Sequence, residues 1–187
     1  TRESTFHWAG SAPDAEQTAA LLESAKVPTA GRLVDLQQAV RGGATVAELF
    51  EATRIDPWFL DQLVLLDEVA TQVRQAPALT REVLATAKRH GFSDQQIGEL
   101  RDLGEDTVRE VRHAYDLRPV YKTVDTCAGE FPALTPYHYS SYDQETEVLP
   151  RDRPAVIILG SGPNRIGQGI EFDYSCVHAT MALSRSY

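Results

Sequence analysis

Between Asp14 and Asp116 apolar residues recur at intervals of three and four, the spacing that gathers them on one face of a helix. Asp14 opens the first run, through Leu21, Leu22 and Ala25, and Val27-Pro28 stops it. Leu33, Leu36 and Val40 carry the period on until Gly42-Gly43 ends it. Thr45-Val46-Ala47-Glu48 has the form of a capping box: a hydroxyl for the third amide and a carboxylate reaching back to the first. Asp56-Pro57 predicts another start, because Asp accepts from the orphan amides and Pro in the first turn loses no hydrogen bond. Ile55 and Leu60 can staple across that start, and the helix runs through Trp58, Phe59, Leu63, Leu66, Val69 and Val73 towards Pro77. Trp58 and Phe59 are expected in the core, the alternative being that one of them contributes to an oligomer contact. Thr80 caps a further helix carrying Val83, Leu84 and Ala87, closed at His90-Gly91. Ser93-Asp94-Gln95-Gln96 repeats the capping box with Phe92 and Ile97 as its staple, and Val108, Val111 and Tyr115 mark the last helix. The pattern predicts an all-α domain of short helices.

The texture changes at Leu117. From Arg118 to Tyr142 no helical period persists, and Pro119, Pro132 and Pro136 break any long helix. An extended segment is expected there, packed rather than dangling, because Tyr121, Phe131, Tyr137, Tyr139 and Tyr142 are costly to leave in water. Asp143 to Pro154 is polar and reads as a linker. Ala155-Val156-Ile157-Ile158-Leu159 is the short β-branched run of a buried parallel strand. It leads into Gly160-Ser161-Gly162-Pro163-Asn164-Arg165-Ile166-Gly167-Gln168-Gly169, after which helical spacing resumes at Phe172, Cys176, Val177, Thr180 and Met181. The fold class is therefore mainly α: a helical domain with its extended segment and linker over 1–152, then the first strand, loop and helix of a βα unit over 153–187.

With 42% hydrophobic and 24% charged residues in 187, the chain can bury a core without disulfides or metal. No apolar run approaches the roughly 20 residues needed to span a bilayer, and Thr1 to Thr5 is not a signal-peptide start. Thr1 stands where an initiator Met would, which points to a piece of something longer. Cys127 and Cys176 form no CxxC and have no histidine cluster, as befits free, partly buried thiols in a reducing cytosol. A net charge of −9 opposes general binding to a phosphate backbone.

Glycines after a strand let backbone amides approach an anion at the start of the next helix. The loop nonetheless fails two phosphate-binding patterns. GxGxxG would place its third glycine where Arg165 stands, and a P-loop starting at Gly162 meets Gln168 where Lys is required. The alternative is a glycine-rich turn that permits close packing of strand on helix.

The same residues carry a more specific signal. Gly160 to Tyr174 resembles the GGGPNRIGQGIEFDY signature of carbamoyl phosphate synthetase large chains, departing at Ser161. Tyr121 to Phe131 resembles that family's YKxVDTCAxEF segment, Tyr137 to Tyr142 its YxYSTY stretch, and Ile55 to Leu60 the IDxWFL of its oligomerisation domain. At the end of the chain Ser186 replaces the family's usual Gly.

This resemblance implies a helical oligomerisation domain followed by the opening of a Rossmann-like pre-ATP-grasp domain in the second synthetase half. The parent would be an ATP-dependent ligase making carbamoyl phosphate from bicarbonate, two ATP and glutamine-derived ammonia, for arginine and pyrimidine synthesis. Its cofactors would be ATP and Mg or Mn, bound outside this piece, and a glutaminase small chain would be its partner. For residues 1–187 the resemblance implies no catalytic, cofactor-binding or metal residue, self-association as homo-oligomer, no nucleic acid, no membrane and a cytoplasmic location. Gly169 and Glu171 would line the carbamate tunnel, Gly169 keeping the passage open. The residue-level alternative for Glu171 is an acid stabilised at a helix start. Leu21 and Leu22 are the expected self-association contact.

Other residues carry less. His113 and His138 stand alone and read as surface or packing residues. Cys127 has no legible base or metal partner, and Asp125 and Glu130 do not form a catalytic carboxylate pair. Phe92 to Asp116 has the outline of a helix-turn-helix DNA reader, but Glu105, Asp106 and Glu110 would face phosphates. The remaining alternative is a free-standing acidic helical interaction module.

Overall fold

A computed structural model describes residues 6–133, 137–150, 152, 154–159 and 171–184, with only the backbone described for 171–173. Within them the chain forms helices α1 (Ala15–Ala25), α2 (Arg32–Arg41), α3 (Val46–Thr53), α4 (Pro57–Gln75), α5 (Arg81–Arg89), α6 (Asp94–Arg101) and α7 (Glu105–Ala114). Strands β1 (Val120–Thr123) and β2 (His138–Ser141) follow, and then α8 (Glu171–Leu183). By packing the chain divides into two compact units, Thr1–Thr146 and Glu147–Tyr187.

Local chemistry starts the helices as expected. The Thr45 hydroxyl accepts from the Glu48 amide while Glu48 accepts from the Thr45 amide, and Ser93 and Gln96 repeat the exchange. Asp14 and Gln17 make a third such pair. Asp56 accepts from the Trp58 amide at 2.9 Å, and Thr80 from that of Val83. Both staples form: Ile55 packs on the cluster that holds Leu60, and Phe92 is buried with Ile97.

Two apolar clusters make the core. One holds Ala25, Leu36, Ala39, Val40, Leu49, Leu60 and Leu63; the other holds Val69, Ala70, Val73, Leu84, Phe92, Ile97, Val108 and Leu117. The 19-residue α4 serves both, its first half in one cluster and its second half in the other, and it packs against α2, α3, α5 and α6. At about 1.5 Å per residue it is long enough to span the helical unit.

The N-terminal strap Phe6–Gly10 closes the helices without regular structure of its own. Trp8 is only 2% exposed and packs on Phe92, ring centres 5.2 Å apart, and Phe6 touches both clusters. The carbonyls of the strap are collected by side chains. His7 O accepts from Gln37, Gln38 and Arg41, Trp8 O from Arg74, Gly10 O from Arg41, and Phe6 O from Gln96. Each bond satisfies a backbone acceptor that a loop would otherwise leave to water.

One glycine is required by close approach. A Cβ on Gly98 of α6 would stand 2.5 Å from the Leu103 carbonyl oxygen, where the chain turns through left-handed Asp102 into α7. Because the obstacle is backbone, the α6–α7 turn itself would have to move. Gly98→Ala is expected to cost roughly 1–3 kcal/mol, measured as a lowered midpoint in urea; an unchanged midpoint would show that the turn yields freely.

β1 and β2 pair antiparallel, with Val120 opposite Ser141 and Thr123 opposite His138. This is the extended segment expected between Arg118 and Tyr142, but its aromatics are not covered: Tyr121, Phe131, Tyr137 and Tyr139 are exposed, and only Tyr142 packs on the helical core. A two-stranded ribbon has no third layer to bury its faces. The expectation of core positions for Trp58 and Phe59 is also overturned: they are 62% and 60% exposed. The apolar stripe of α4 that turns inward runs through Leu60, Leu63, Val69 and Val73; Trp58 lies off it, whereas Phe59 is in line with Leu63 but sits in the first turn, at the helix end, where nothing covers it among the described residues.

In the second unit residues 154–159 form no strand, and Ile157 and Leu159 are 84% and 93% exposed. A parallel strand is held by neighbours on its edges and helices on its faces; among the described residues none pairs with this segment. The glycine-rich loop, Gly169 included, lies outside the described residues.

Candidate functional site

Three features of the first unit stand out. The first is a shallow groove of about 440 Å³ on α1, lined by Pro13, Gln17, Ala20, Leu21, Ser24 and Gln38. Leu21 and Leu22 are half-buried against the core cluster beneath it. Leu21 therefore offers part of its side chain to whatever lies over α1.

The second is the start of α4, where Trp58 and Phe59 meet edge to face, ring centres 5.0 Å apart, both open to solvent. The Arg54 guanidinium lies 5.3 Å from the Phe50 ring nearby and pairs with Glu51.

The third is a buried ion cluster in the α5–α7 block. Asp94 receives Arg112 through Nη2 at 2.8 Å and Nε at 3.1 Å, and Lys88 Nζ at 3.0 Å. Further donors bond to backbone: Lys88 reaches Phe92 O and Arg112 reaches Leu117 O. The Tyr142 ring lies over both cations, 5.2 Å from Lys88 Nζ and 5.9 Å from the Arg112 guanidinium. Burial pushes the Asp94 carboxyl up, but the hydrogen bonds and charges of Arg112 and Lys88 outweigh it and hold the group below its ordinary range. The bond to Asp94 correspondingly raises Arg112. Burial raises the Tyr142 hydroxyl, so its ring acts as a neutral cover. This cluster ties the α6 N-terminus to α5, to α7 and to the segment that leaves β2.

None of these is a constellation for catalysis. Among the described residues no group of three His, Cys, Asp or Glu could hold a metal, and no helix is long and apolar enough to cross a membrane. Cys127 sits in a turn whose amide donates to Asp125. His138 meets the Thr123 hydroxyl across the hairpin at 3.3 Å, and His113 is exposed. The cations that a DNA reader would need on α7 are otherwise engaged: Arg109 is held by Glu105 and Asp106 of its own helix, and Arg112 points inward. In the second unit Glu171 opens α8, and a hollow of about 380 Å³ is lined by Cys176, Val177, Thr180 and Met181.

Residues 1–116 match the family described as carbamoyl-phosphate synthetase large chain, oligomerisation domain. The chain belongs to that family. Residues 152–187 match the carbamoyl phosphate synthase preATP-grasp domain, and the glycine-rich loop and α8 fall there. Among similar proteins, the carbamoyl phosphate synthase large chain of Beutenbergia cavernae is 74% identical over 184 residues, covering 98% of this chain and 17% of the relative. That of Clavibacter michiganensis is 65% identical over 183 residues, 98% of this chain and 16% of the relative. That of Streptomyces avermitilis is 68% identical over 168 residues, 90% and 15%. The chain thus spans less than a fifth of the length of these carbamoyl phosphate synthase large chains. Helices α1 to α7, with the α1 groove, the α4 aromatics and Lys88, Asp94 and Arg112 of the ion cluster, lie within the residues matched to the oligomerisation domain.

The ion cluster and the strap were not legible in the sequence. Lys88, Asp94 and Arg112 are separated by 6 and 18 positions, outside the short spacings that link residues on one helix, and Tyr142 comes from beyond the helices altogether.

Proposed function

We propose that residues 1–187 are the assembly module of a carbamoyl phosphate synthase large chain, together with the opening of its second synthetase half. The whole protein would be an ATP-dependent ligase that joins bicarbonate and glutamine-derived ammonia at the expense of two ATP, serving arginine and pyrimidine synthesis in the cytoplasm. A glutaminase small chain would supply the ammonia, and ATP with Mg or Mn would bind in domains outside these residues. Gly169 and Glu171 would border the path by which carbamate reaches its second phosphorylation, and this region would perform no catalysis of its own. The reading rests on the names and the high identity of the relatives, and on the family description that covers the helical unit.

For self-association the carrying observation is the α1 groove, where Leu21 and Ala20 line a concave apolar surface. A second copy would cover it, with Leu21 as the contact and Leu22 stiffening the helix from beneath. Sedimentation equilibrium of the chain is expected to show a dimer or larger species, and Leu21→Glu is expected to shift it to monomer with helical content unchanged. A wild-type chain that stays monomeric at high concentration overturns the reading.

A further inference from the structure

The exposed stripe of α4 runs Trp58, Asp61, Leu65, Glu68, Gln72, at alternating steps of three and four that place all five on one line of the helix. Trp58 and Leu65 are open apolar side chains one heptad apart, and Phe59 extends the apolar area sideways by its edge contact with Trp58. Asp61 and Glu68 alternate with them, and no ion pair within 4.0 Å is formed by either among the described residues. Some surface acids of the unit are paired, Glu23 with Lys26, Glu51 with Arg54, and Glu105 and Asp106 with Arg109; what sets Asp61 and Glu68 apart is their place between exposed apolar side chains on one helix line. The stripe therefore combines large exposed apolar side chains with carboxylates that form no ion pair among the described residues. Aromatic side chains are the usual anchors of buried contacts, and the acids between them call for cations opposite.

Three occupants come into question: a second copy, the part of the large chain that lies outside these residues, or the proposed small chain, which is absent from the large chain tested below and so could not protect the face there. A two-fold contact would lay the stripe on itself, with Asp61 and Glu68 facing Asp61 and Glu68 of the other copy, and like charges across an interface are costly. A contact onto a different face of another copy would be heterologous and would propagate or form rings. The relatives carry more than four-fifths of their length outside the aligned residues, since the aligned part is 15–17% of them. We propose that the Trp58–Phe59–Leu65 face of α4 docks in cis on a basic, apolar surface elsewhere in the same large chain. This inference rests on the chain being part of a carbamoyl phosphate synthase large chain, and it assigns α4 an interdomain contact distinct from the α1 groove. Trp58 and Phe59 would fill the apolar part of that surface, and Asp61 and Glu68 would pair with its Lys or Arg side chains.

Hydroxyl-radical footprinting of the full-length large chain, read by mass spectrometry at residue level, tests this directly. Trp8, buried within the unit, serves as the internal standard for protection. The expected result is that Trp58 in the full-length chain loses its reactivity to the level of Trp8, independently of protein concentration, and regains it in the Asp61→Lys/Glu68→Lys double variant. Trp8 should stay protected in that variant, which shows that the helical unit remains folded. Reactivity of Trp58 well above that of Trp8 in the wild-type chain overturns the proposal. So does protection that appears only as concentration rises, which would assign the face to a second copy, and so does protection that survives the double reversal. Self-association through α1 is read separately by sedimentation of Leu21→Glu, so the two readings fail independently.

Discussion

Asp94→Ala is expected to destabilise the helical unit by about 3–5 kcal/mol. The substitution leaves Lys88 and Arg112 buried side by side without a counter-charge, and removes the acceptor of four of their hydrogen bonds. Desolvated cations in that position are far costlier than a lost surface pair. The Tyr142 ring covers both cations, so the segment leaving β2 should loosen with them, visible as faster amide exchange at Ser141 and Tyr142. The combined variant Lys88→Met/Asp94→Leu/Arg112→Met is expected to recover most of the loss, because apolar side chains of similar volume need no partner. The pH dependence follows from the direction of the Asp94 shift. Its folded carboxyl is held below the ordinary value, so its stabilising contribution is complete above the unfolded value of about 3.9. It is lost as pH falls through the still lower folded value. Urea midpoints should therefore decline on acidification below about pH 4 more steeply for wild type than for Asp94→Asn. Equal slopes, or a negligible cost for Asp94→Ala, would show that the cluster is hydrated and weakly coupled.

Trp8→Ala is the second large effect, about 3–5 kcal/mol, since it empties the site between Phe6 and Phe92 and removes the anchor of a strap that touches both clusters. Trp8→Phe is expected to behave differently. The indole Nε1 is buried with no hydrogen-bond partner among the described residues, and an unsatisfied buried donor carries a penalty of its own. Phenylalanine deletes that donor while keeping an aromatic ring against Phe92, so the loss of area and the relief of the penalty oppose each other. The measurement is the urea midpoint of both variants. A Trp8→Phe loss as large as that of Trp8→Ala would mean that the indole N–H is satisfied.

The helix starts were readable because capping is settled within four residues: Thr45 with Glu48 and Ser93 with Gln96 need nothing from the rest of the chain. The inward stripe of α4 was readable for the same reason, as a period. What periodicity does not settle is the fate of residues just off the stripe. Trp58 and Phe59 are both large and apolar, but the position of Trp58 around the helix axis turns it outward, and Phe59, though in line with Leu63, sits in the first turn beyond the cover of the core. The exposed hairpin aromatics were misjudged similarly, since burial depends on a covering layer that a local segment does not encode. The strand expected at Ala155–Leu159 is the same lesson in reverse: five β-branched or apolar residues define a strand only in the company of others. The self-association contact at Leu21 and Leu22 follows from the apolar face of the first helix, and the tunnel residues Gly169 and Glu171 from resemblance; both stand as proposals for experiment.

The strap also sets the order of events on the ribosome. Phe6 bonds to Gln96, 90 positions downstream, and Trp8 packs among residues of α4, α5 and α6 and against Leu117 in the same cluster. The first cluster, from Ala25 to Leu63, can close as soon as α4 has emerged, but the second must wait while its earliest residue sits exposed. At 5–20 residues per second that interval is roughly 5–20 seconds, during which Phe6 and Trp8 are an uncovered hydrophobic segment of the growing chain, available to chaperones.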